Sequence, residues 1–108
     1  LIKVFSKAKF QTPILVNEQE APDPDFPTTL FPNPEEPGVL DLTIKYAQEN
    51  AADLIIANDP DADRCAVAIN DINLGWKMLT GDQVGSIIGS YLISKNQSAN
   101  AQVANSLV

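Results

Sequence analysis

The sequence predicts an α/β fold, and three neighbouring segments carry that prediction. Residues 12–19 (TPILVNEQ) form a short β-branched run that is typical of a strand. Residues 37–50 place apolar side chains at helical spacing, and residues 53–58 (DLIIAN) form an apolar run that suits a strand buried on both faces. A strand, a helix and a second strand in this order favour parallel pairing. We therefore expect a mixed, partly parallel sheet with helices packed against it.

Two β-prone segments follow and predict a hairpin. Residues 65–70 (CAVAIN) and residues 76–80 (WKMLT) flank the turn-rich residues 71–75 (DINLG). The closing residues 103–108 (VANSLV) are β-prone as well and predict the opening of another strand.

The segment after the hairpin has the clearest helical pattern. Thr80 and Gln83 have the spacing of a capping box, in which each side chain binds a backbone N–H of the first turn. Apolar residues then recur at i, i+3, i+4, i+7 and i+8: Val84, Ile87, Ile88, Tyr91 and Leu92. The pattern predicts a helix whose apolar stripe lies in the core.

Residues 20–38 connect the first two predicted elements and carry six of the eight prolines. Proline fixes φ and lacks an N–H donor, so this segment is expected to be a stiff, non-helical surface connector. Asn33 and the acidic pair Glu35 and Glu36 lie near its end, where a structural role at the helix entry is favoured over a place in a binding cleft.

Composition excludes several classes of function. The net charge is −7 with only seven Lys and Arg residues, so neither nucleic acid nor an anionic membrane is expected as a partner. The absence of histidine removes Ser-His and Cys-His nucleophile pairs and imidazole zinc ligands. The single cysteine, Cys65, cannot form an internal disulfide, and no apolar run approaches the roughly 20 residues of a spanning helix. These features lead us to expect a cytoplasmic protein.

Three aspartates alternate directly after the apolar run at residues 53–58, and an arginine follows them. Asp59, Asp61 and Asp63 precede Arg64 in the sequence NDPDADR. Like charges at this spacing repel unless a cation compensates them, and carboxylate oxygens are the ligands that magnesium prefers. The planar guanidinium of Arg64 suits a phosphate or sugar hydroxyls bound beside such a cation.

Three interpretations of this aspartate triplet compete. A solvated acidic turn needs no ligand. An EF-hand also opens with D-x-D-x-D, but it requires glycine at the sixth position and glutamate at the twelfth, where this chain has Arg64 and Asn70, and its flanks are helices rather than strands. A magnesium site for phosphoryl transfer fits the place of the triplet after a buried strand, where open α/β sheets bind ligands.

Joined to its flanking segments, the aspartate triplet resembles the metal loop of the α-D-phosphohexomutase superfamily, which reads D-G/P-D-A/G-D-R. This superfamily comprises the phosphoglucomutases, the phosphomannomutases and their relatives. Three segments carry the resemblance in the family's order: residues 22–42 (PDPDFPTTLFPNPEEPGVLDL), residues 57–69 (ANDPDADRCAVAI) and residues 76–92 (WKMLTGDQVGSIIGSYL). Together they look most like the phosphoglucomutase/phosphopentomutase branch, and the resemblance covers residues 12–108.

The resemblance implies a three-layer α/β/α domain that is truncated at both ends. Residues 1–75 then correspond to the second of four domains, without its first strand, and residues 76–108 to the link and the first helix and strand of the third. The family's nucleophile loop (T-A-S-H-N-P), its sugar loop and its phosphate-binding loop are absent from this sequence. The chain alone is therefore expected to be inactive.

The resemblance also assigns roles. It implies that Asp59, Asp61 and Asp63 hold Mg²⁺ against a phosphoserine of another domain, and that Arg64 contacts the phosphosugar. The implied activity is that of an isomerase, an intramolecular phosphotransferase that interconverts hexose or pentose 1-phosphate and 6- or 5-phosphate through a bisphosphorylated intermediate. The implied partners are a glucose, mannose or pentose phosphate and the remaining domains of the same polypeptide. The alternative is a non-catalytic module that binds divalent cations, or a degenerate relative.

Overall fold

A computed structural model describes residues 1–96 together with Gln102 and Ala104, and within them the α/β class is confirmed. The helices are α1 (Ile2–Lys7), α2 (Asn17–Glu20), α3 (Asp41–Glu49) and α4 (Gly81–Lys95). The strands are β1 (Leu54–Asn58), β2 (Cys65–Asp71) and β3 (Gly75–Leu79). The strand predicted over residues 103–108 lies outside the described residues. In the described part of the chain, no helix is both long and apolar enough to cross a membrane.

The strands form one sheet in the order β1-β2-β3, and both pairs are antiparallel. The β1–β2 pairing runs from Leu54 opposite Ile69 to Asn58 opposite Cys65. The sheet of the described residues therefore lacks the parallel pair that the strand–helix–strand pattern predicts.

The parallel pair is missing because the strand predicted over residues 12–19 is wrong. Residues 12–16 have no regular secondary structure, and the residues that follow form the short helix α2. Pro13 cannot donate a hydrogen bond to a sheet, and the polar run Asn17–Glu20 is poor in the β-branched side chains that favour strands.

The predicted hairpin is confirmed, and its turn is held by a carboxylate. Oδ1 of Asp71 accepts hydrogen bonds from the backbone N–H groups of Asn73 (2.8 Å) and Leu74 (3.0 Å). Gly75 follows with a φ of 72°, a left-handed conformation that glycine adopts without steric cost.

Helix α3 begins at Asp41, four residues later than Pro37, where the sequence pattern places its start. Gly38 interrupts the segment between them, because its φ of 81° is incompatible with an α-helix. Before it, Oδ1 of Asn33 accepts a hydrogen bond from the backbone N–H of Glu35 (3.1 Å), so Asn33 stabilises a turn ahead of the helix and not the helix entry where it was expected. Asp41 then stands in the first turn, where a carboxylate interacts favourably with the helix dipole.

The core lies between α3 and one face of the sheet. It comprises Leu40, Ala47, Ile55 and Ala68, with partly buried side chains packed around them: Ile44, Ala52, Ala57 and Trp76. Ile55 pairs with Ala68 across the β1–β2 ladder, so both side chains point to the same face. The small side chains of Ala47 and Ala68 allow the helix to approach the sheet closely. The strand that leads to the aspartates is anchored by this contact.

Helix α4 has the predicted capping box, but its apolar stripe is not buried. Gln83 Oε1 accepts a hydrogen bond from the backbone N–H of Thr80 (3.0 Å), and the reciprocal bond is also present. Val84 is half-buried, whereas the other stripe residues are more than half exposed: Ile87, Ile88, Tyr91 and Leu92. The prediction that this stripe is core is therefore wrong within the described residues. Periodicity identifies which face of a helix is apolar and not what covers it.

A hydrogen bond joins the two helices on either side of the proline-rich connector. The hydroxyl of Tyr46 in α3 donates to Oε2 of Glu18 in α2 over 2.6 Å. This bond lowers the pKa of Glu18, because it stabilises the carboxylate, and it raises the pKa of Tyr46, because the carboxylate opposes a second negative charge.

We expect Ile55→Ala to lower the free energy of opening of the β1 strand by about 2–5 kcal/mol, the usual cost of truncating a buried aliphatic side chain. Ile55 is 3% exposed, while its neighbour Leu54 is 50% exposed and serves as the matched control. Native-state hydrogen exchange at the β1 amides of the full-length protein measures the difference. A loss in Leu54→Ala as large as that in Ile55→Ala would contradict the assigned core.

We expect Tyr46→Phe to destabilise the protein near neutral pH, and the deficit to shrink in acid. The pKa of Glu18 is depressed in the folded state, so its contribution is present above the unfolded pKa and lost as pH falls through the folded pKa. Thermal unfolding midpoints of both proteins across the acidic range measure this. Tyr91→Phe is the control, since Tyr91 is 60% exposed; a deficit that stays constant with pH would show that the Glu18 bond does not matter.

Candidate metal centre

Residues 59–64, here called the acidic loop, connect β1 to β2 directly beyond the last pair of their ladder. That pair is Asn58 opposite Cys65. Inside the loop the backbone N–H of Ala62 donates to the carbonyl of Asp59 over 3.0 Å. Ala62 has a φ of 58°, a left-handed conformation that costs a non-glycine residue about 1–2 kcal/mol. The loop is therefore a tight turn that brings the alternate side chains of Asp59, Asp61 and Asp63 to the same side.

Asp59 is buried at the base of this loop, with 4% of its surface exposed. Its Oδ1 accepts a hydrogen bond from the backbone N–H of Arg64 (3.2 Å), and its Oδ2 accepts one from Arg64 Nε (2.7 Å). Among the described residues, Asp59 is the one buried residue with a polar or charged side chain. A carboxylate removed from water requires such partners, and Arg64 supplies both.

The other two aspartates lie at the rim of the loop. Asp61 and Asp63 are exposed, and Oδ1 of Asp63 is 3.5 Å from Arg64 Nε. One carboxylate oxygen from each of Asp59, Asp61 and Asp63 can be chosen so that all lie within 4.8 Å of one another. One buried and two exposed carboxylates thus converge on a single point.

The protonation of these groups reflects their crowding. Burial by itself raises the pKa of Asp59, but the hydrogen bonds from the backbone and side chain of Arg64 outweigh it and leave the pKa below its usual value. The pKa of Asp63 is raised, first because its protonated form donates a hydrogen bond to Asp59, and then by the charges of Asp61 and Asp59. The pKa of Arg64 is raised by its hydrogen bond to Asp59. One guanidinium therefore does not compensate three carboxylates.

The arrangement fits a small, hard divalent cation. Magnesium takes oxygen ligands at about 2.1 Å, so opposite ligands in an octahedron are about 4.2 Å apart. The observed spread of 4.8 Å is slightly wider, and the exposed side chains of Asp61 and Asp63 are free to close it. Both oxygens of Asp59 retain a lone pair beside the bonds to Arg64. The strands on either side also agree with the exclusion of an EF-hand, whose loop lies between helices.

All four residues singled out in the sequence lie in the acidic loop, but the contact between Arg64 and Asp59 was not expected. The guanidinium uses Nε for its contacts with Asp59 and Asp63, and 54% of the side chain remains exposed. Sequence reasoning also missed Asn58, whose Nδ2 donates to the backbone carbonyl of Arg64 over 3.2 Å. The available signal was its position: a side chain with both donor and acceptor groups at the end of a strand, directly before the aspartates.

A cavity of about 270 Å³ lies on the α3 side of the sheet and contains none of these residues. Glu35, Glu36 and Asp41 line it together with Trp76, whose indole Nε1 is buried without a hydrogen-bond partner among the described residues. Trp76 packs against the core.

A buried carboxylate and two exposed ones, held on a strand-to-strand turn of an α/β fold, define a candidate divalent-cation centre. Residues 1–75 match the model of the family described as phosphoglucomutase/phosphomannomutase, alpha/beta/alpha domain II. The chain belongs to this family, which confirms the resemblance seen in the sequence. No solved structure matches the chain.

Curated relatives agree with this membership. A probable phosphomannomutase of Haemophilus influenzae is 51% identical over the whole chain, which covers 22% of that protein. A phosphoribomutase of Saccharomyces cerevisiae is 47% identical over 82% of the chain and 14% of its own length. A human phosphopentomutase is 44% identical over 82% of the chain and 15% of its own length. The chain thus spans less than a quarter of the length of the relatives it matches.

In the metal-free protein, we expect Asp59→Asn to lower the thermal unfolding midpoint and Asp61→Asn to leave it unchanged or raise it slightly. The first substitution removes a buried charge that accepts two hydrogen bonds from Arg64, while the second removes only an exposed negative charge from a crowded loop. Thermal unfolding of both variants in EDTA measures this order, and the reverse order would contradict the assigned burial.

Proposed function

We propose that this chain is the metal-binding portion of a phosphosugar mutase. The whole protein would interconvert a hexose or pentose 1-phosphate and the corresponding 6- or 5-phosphate. It would do so through a phosphoserine on the enzyme and a bisphosphorylated intermediate. The relatives bear the names of mutases for mannose, ribose and pentose phosphates, which supports the class of reaction and leaves the sugar open.

The observation that carries this proposal is the convergence of Asp59, Asp61 and Asp63 within 4.8 Å in a chain of this family. We assign these aspartates as ligands of Mg²⁺. When bound, the cation would neutralise negative charge that develops on a transferring phosphoryl group.

Within this scheme the residues of the acidic loop have different tasks. Asp59 is buried and already hydrogen-bonded, so it supplies a fixed ligand at the base of the site. Asp61 and Asp63 are exposed and can adjust to the cation. Arg64 keeps about half of its side chain exposed, and we assign the exposed part of its guanidinium to contact with the phosphosugar.

The rest of the machinery would lie on other parts of the polypeptide. We assign residues 1–75 to the second domain of the mutase and residues 76–108 to the start of the third, with the phosphoserine on neither. Strand β3 pairs with β2 as far as Leu79, so the sheet continues a few residues beyond that boundary. The chain alone is expected to be inactive, and the whole enzyme is expected in the cytoplasm with a sugar phosphate as substrate.

The test is Asp61→Asn in the full-length protein. Asp61 is exposed, so we expect the fold to survive while mutase turnover with glucose, mannose or ribose phosphate falls by at least about 10- to 100-fold, the usual loss when even a hydrogen-bond partner of a metal ligand is removed. Asp53→Asn is the matched control, since it removes an exposed carboxylate directly before β1, at the opposite end of that strand.

Two results would contradict the proposal. Undiminished turnover in Asp61→Asn would show that the acidic loop is not the metal centre. The wild-type protein could instead show no mutase activity with any of these sugar phosphates and still bind metal that Asp61→Asn abolishes. That result would establish a non-catalytic cation-binding module.

A further inference from the structure

We propose that Asn58 is a positioning residue of the metal centre, which holds the Arg64 end of the acidic loop so that the aspartates converge. This inference rests on the proposed function and deepens it. Asn58 is the last residue of β1, and its side chain reaches across the mouth of the loop to the residue before β2.

Both backbone polar groups of Arg64 are bound by the side chains of the last residue of β1 and of the residue that follows it. Nδ2 of Asn58 donates to the carbonyl of Arg64 over 3.2 Å, and Oδ1 of Asp59 accepts from the N–H of Arg64 over 3.2 Å. The side chains of the consecutive residues Asn58 and Asp59 therefore bind the carbonyl and the N–H of the same residue, Arg64. Together these bonds fix where the loop returns to the sheet.

These two hydrogen bonds differ in their relation to the cation. Asp59 is itself a candidate ligand, so its carboxylate must serve Arg64 and the metal together. The amide of Asn58 carries no charge, and its bond to the carbonyl of Arg64 does not compete for the lone pairs that bind metal. Asn58 therefore holds the loop closed independently of whether a cation is present.

The hydrogen bond of Asn58 also limits the positions of the candidate metal ligands. Asp63 is joined covalently to Arg64, so the position of the Arg64 peptide limits where the Asp63 carboxylate can reach. Asp63 is exposed, and the 3.5 Å contact of its carboxylate with Arg64 Nε lies within the same loop, so the loop backbone decides where this carboxylate can reach. Releasing the Arg64 carbonyl widens the set of loop conformations, and only a fraction of them brings all three oxygens together.

The experiment measures Mn²⁺ binding to the full-length protein from the EPR signal of the free ion. We expect Asn58→Ala and the near-isosteric Asn58→Leu to raise the Mn²⁺ dissociation constant about five- to ten-fold, which corresponds to about 1–1.4 kcal/mol and is the usual worth of one hydrogen bond. Asn58→Gln retains the donor and is expected to recover most of the affinity. Asn70→Ala is the matched control, because Asn70 is also an exposed asparagine of the sheet and lies opposite Trp76, away from the loop.

A second readout separates positioning from a general structural role. Thermal unfolding in EDTA should change little in Asn58→Ala, because the bond lies on the surface. A lowered midpoint with unchanged Mn²⁺ affinity would assign Asn58 to stability alone and overturn the inference.

Three further results would also overturn the inference. Wild-type affinity in Asn58→Ala and Asn58→Leu overturns the inference while the metal centre stands. Weak binding in Asn58→Gln equal to that in Asn58→Leu overturns it too, because the donor would then be irrelevant. If the wild-type protein binds no Mn²⁺, or if Asp61→Asn leaves its Mn²⁺ binding unchanged, the proposed function itself fails. The inference about Asn58 then fails with it.

Discussion

The contact between Asp59 and Arg64 is the interaction on which the geometry of the acidic loop depends. A carboxylate buried to 4% exposure loses most of its water, and this cost is offset only where donors replace the lost hydration. Arg64 supplies two donors from one residue, its backbone N–H and its Nε. Because Asp59 follows β1 and Arg64 precedes β2, satisfying the carboxylate also closes the turn between the strands. The electrostatic requirement and the chain reversal are thus met by the same atoms.

The sheet provides the fixed base for this turn. The β1–β2 ladder continues to the pair of Asn58 and Cys65, so the backbone is ordered up to the residue before Asp59. On one face, Ile55 and Ala68 are buried against α3, which prevents β1 from sliding along β2. Asp61 and Asp63, by contrast, are exposed at the rim of the loop and remain adjustable. A rigid base with an adaptable rim is suited to a cation, which imposes its own distances on its ligands.

The sequence predicts elements well where the deciding signal is local, and it fails where distant residues decide. The strand β1, the Asp71 turn of the hairpin and the capping box at Thr80 each depend on signals within a few residues, and each is confirmed. The expected burial of β1 on both faces is wrong, because Ile55 is buried while its neighbour Leu54 is 50% exposed on the other face. The prediction of a strand over residues 12–19 is wrong because Pro13 lacks an N–H donor and the polar run that follows forms α2. The β-branched side chains of this segment do not outweigh these two effects. The aspartates were found from their alternation, whereas the burial of Asp59 depends on contacts that no pattern of spacing reports.

The anchoring of Arg64 has a consequence for the entropy of ligand binding. A free arginine side chain carries about 2 kcal/mol of rotamer entropy, which is lost when its guanidinium is immobilised. In this chain Nε is held by Asp59 at 2.7 Å, while 54% of the side chain stays exposed. Much of this rotamer entropy is therefore lost during folding. An anion that binds the exposed part of the guanidinium does not have to orient it again. Asp59 in this sense serves twice: it lies at the base of the candidate cation site, and it preorganises the arginine beside it.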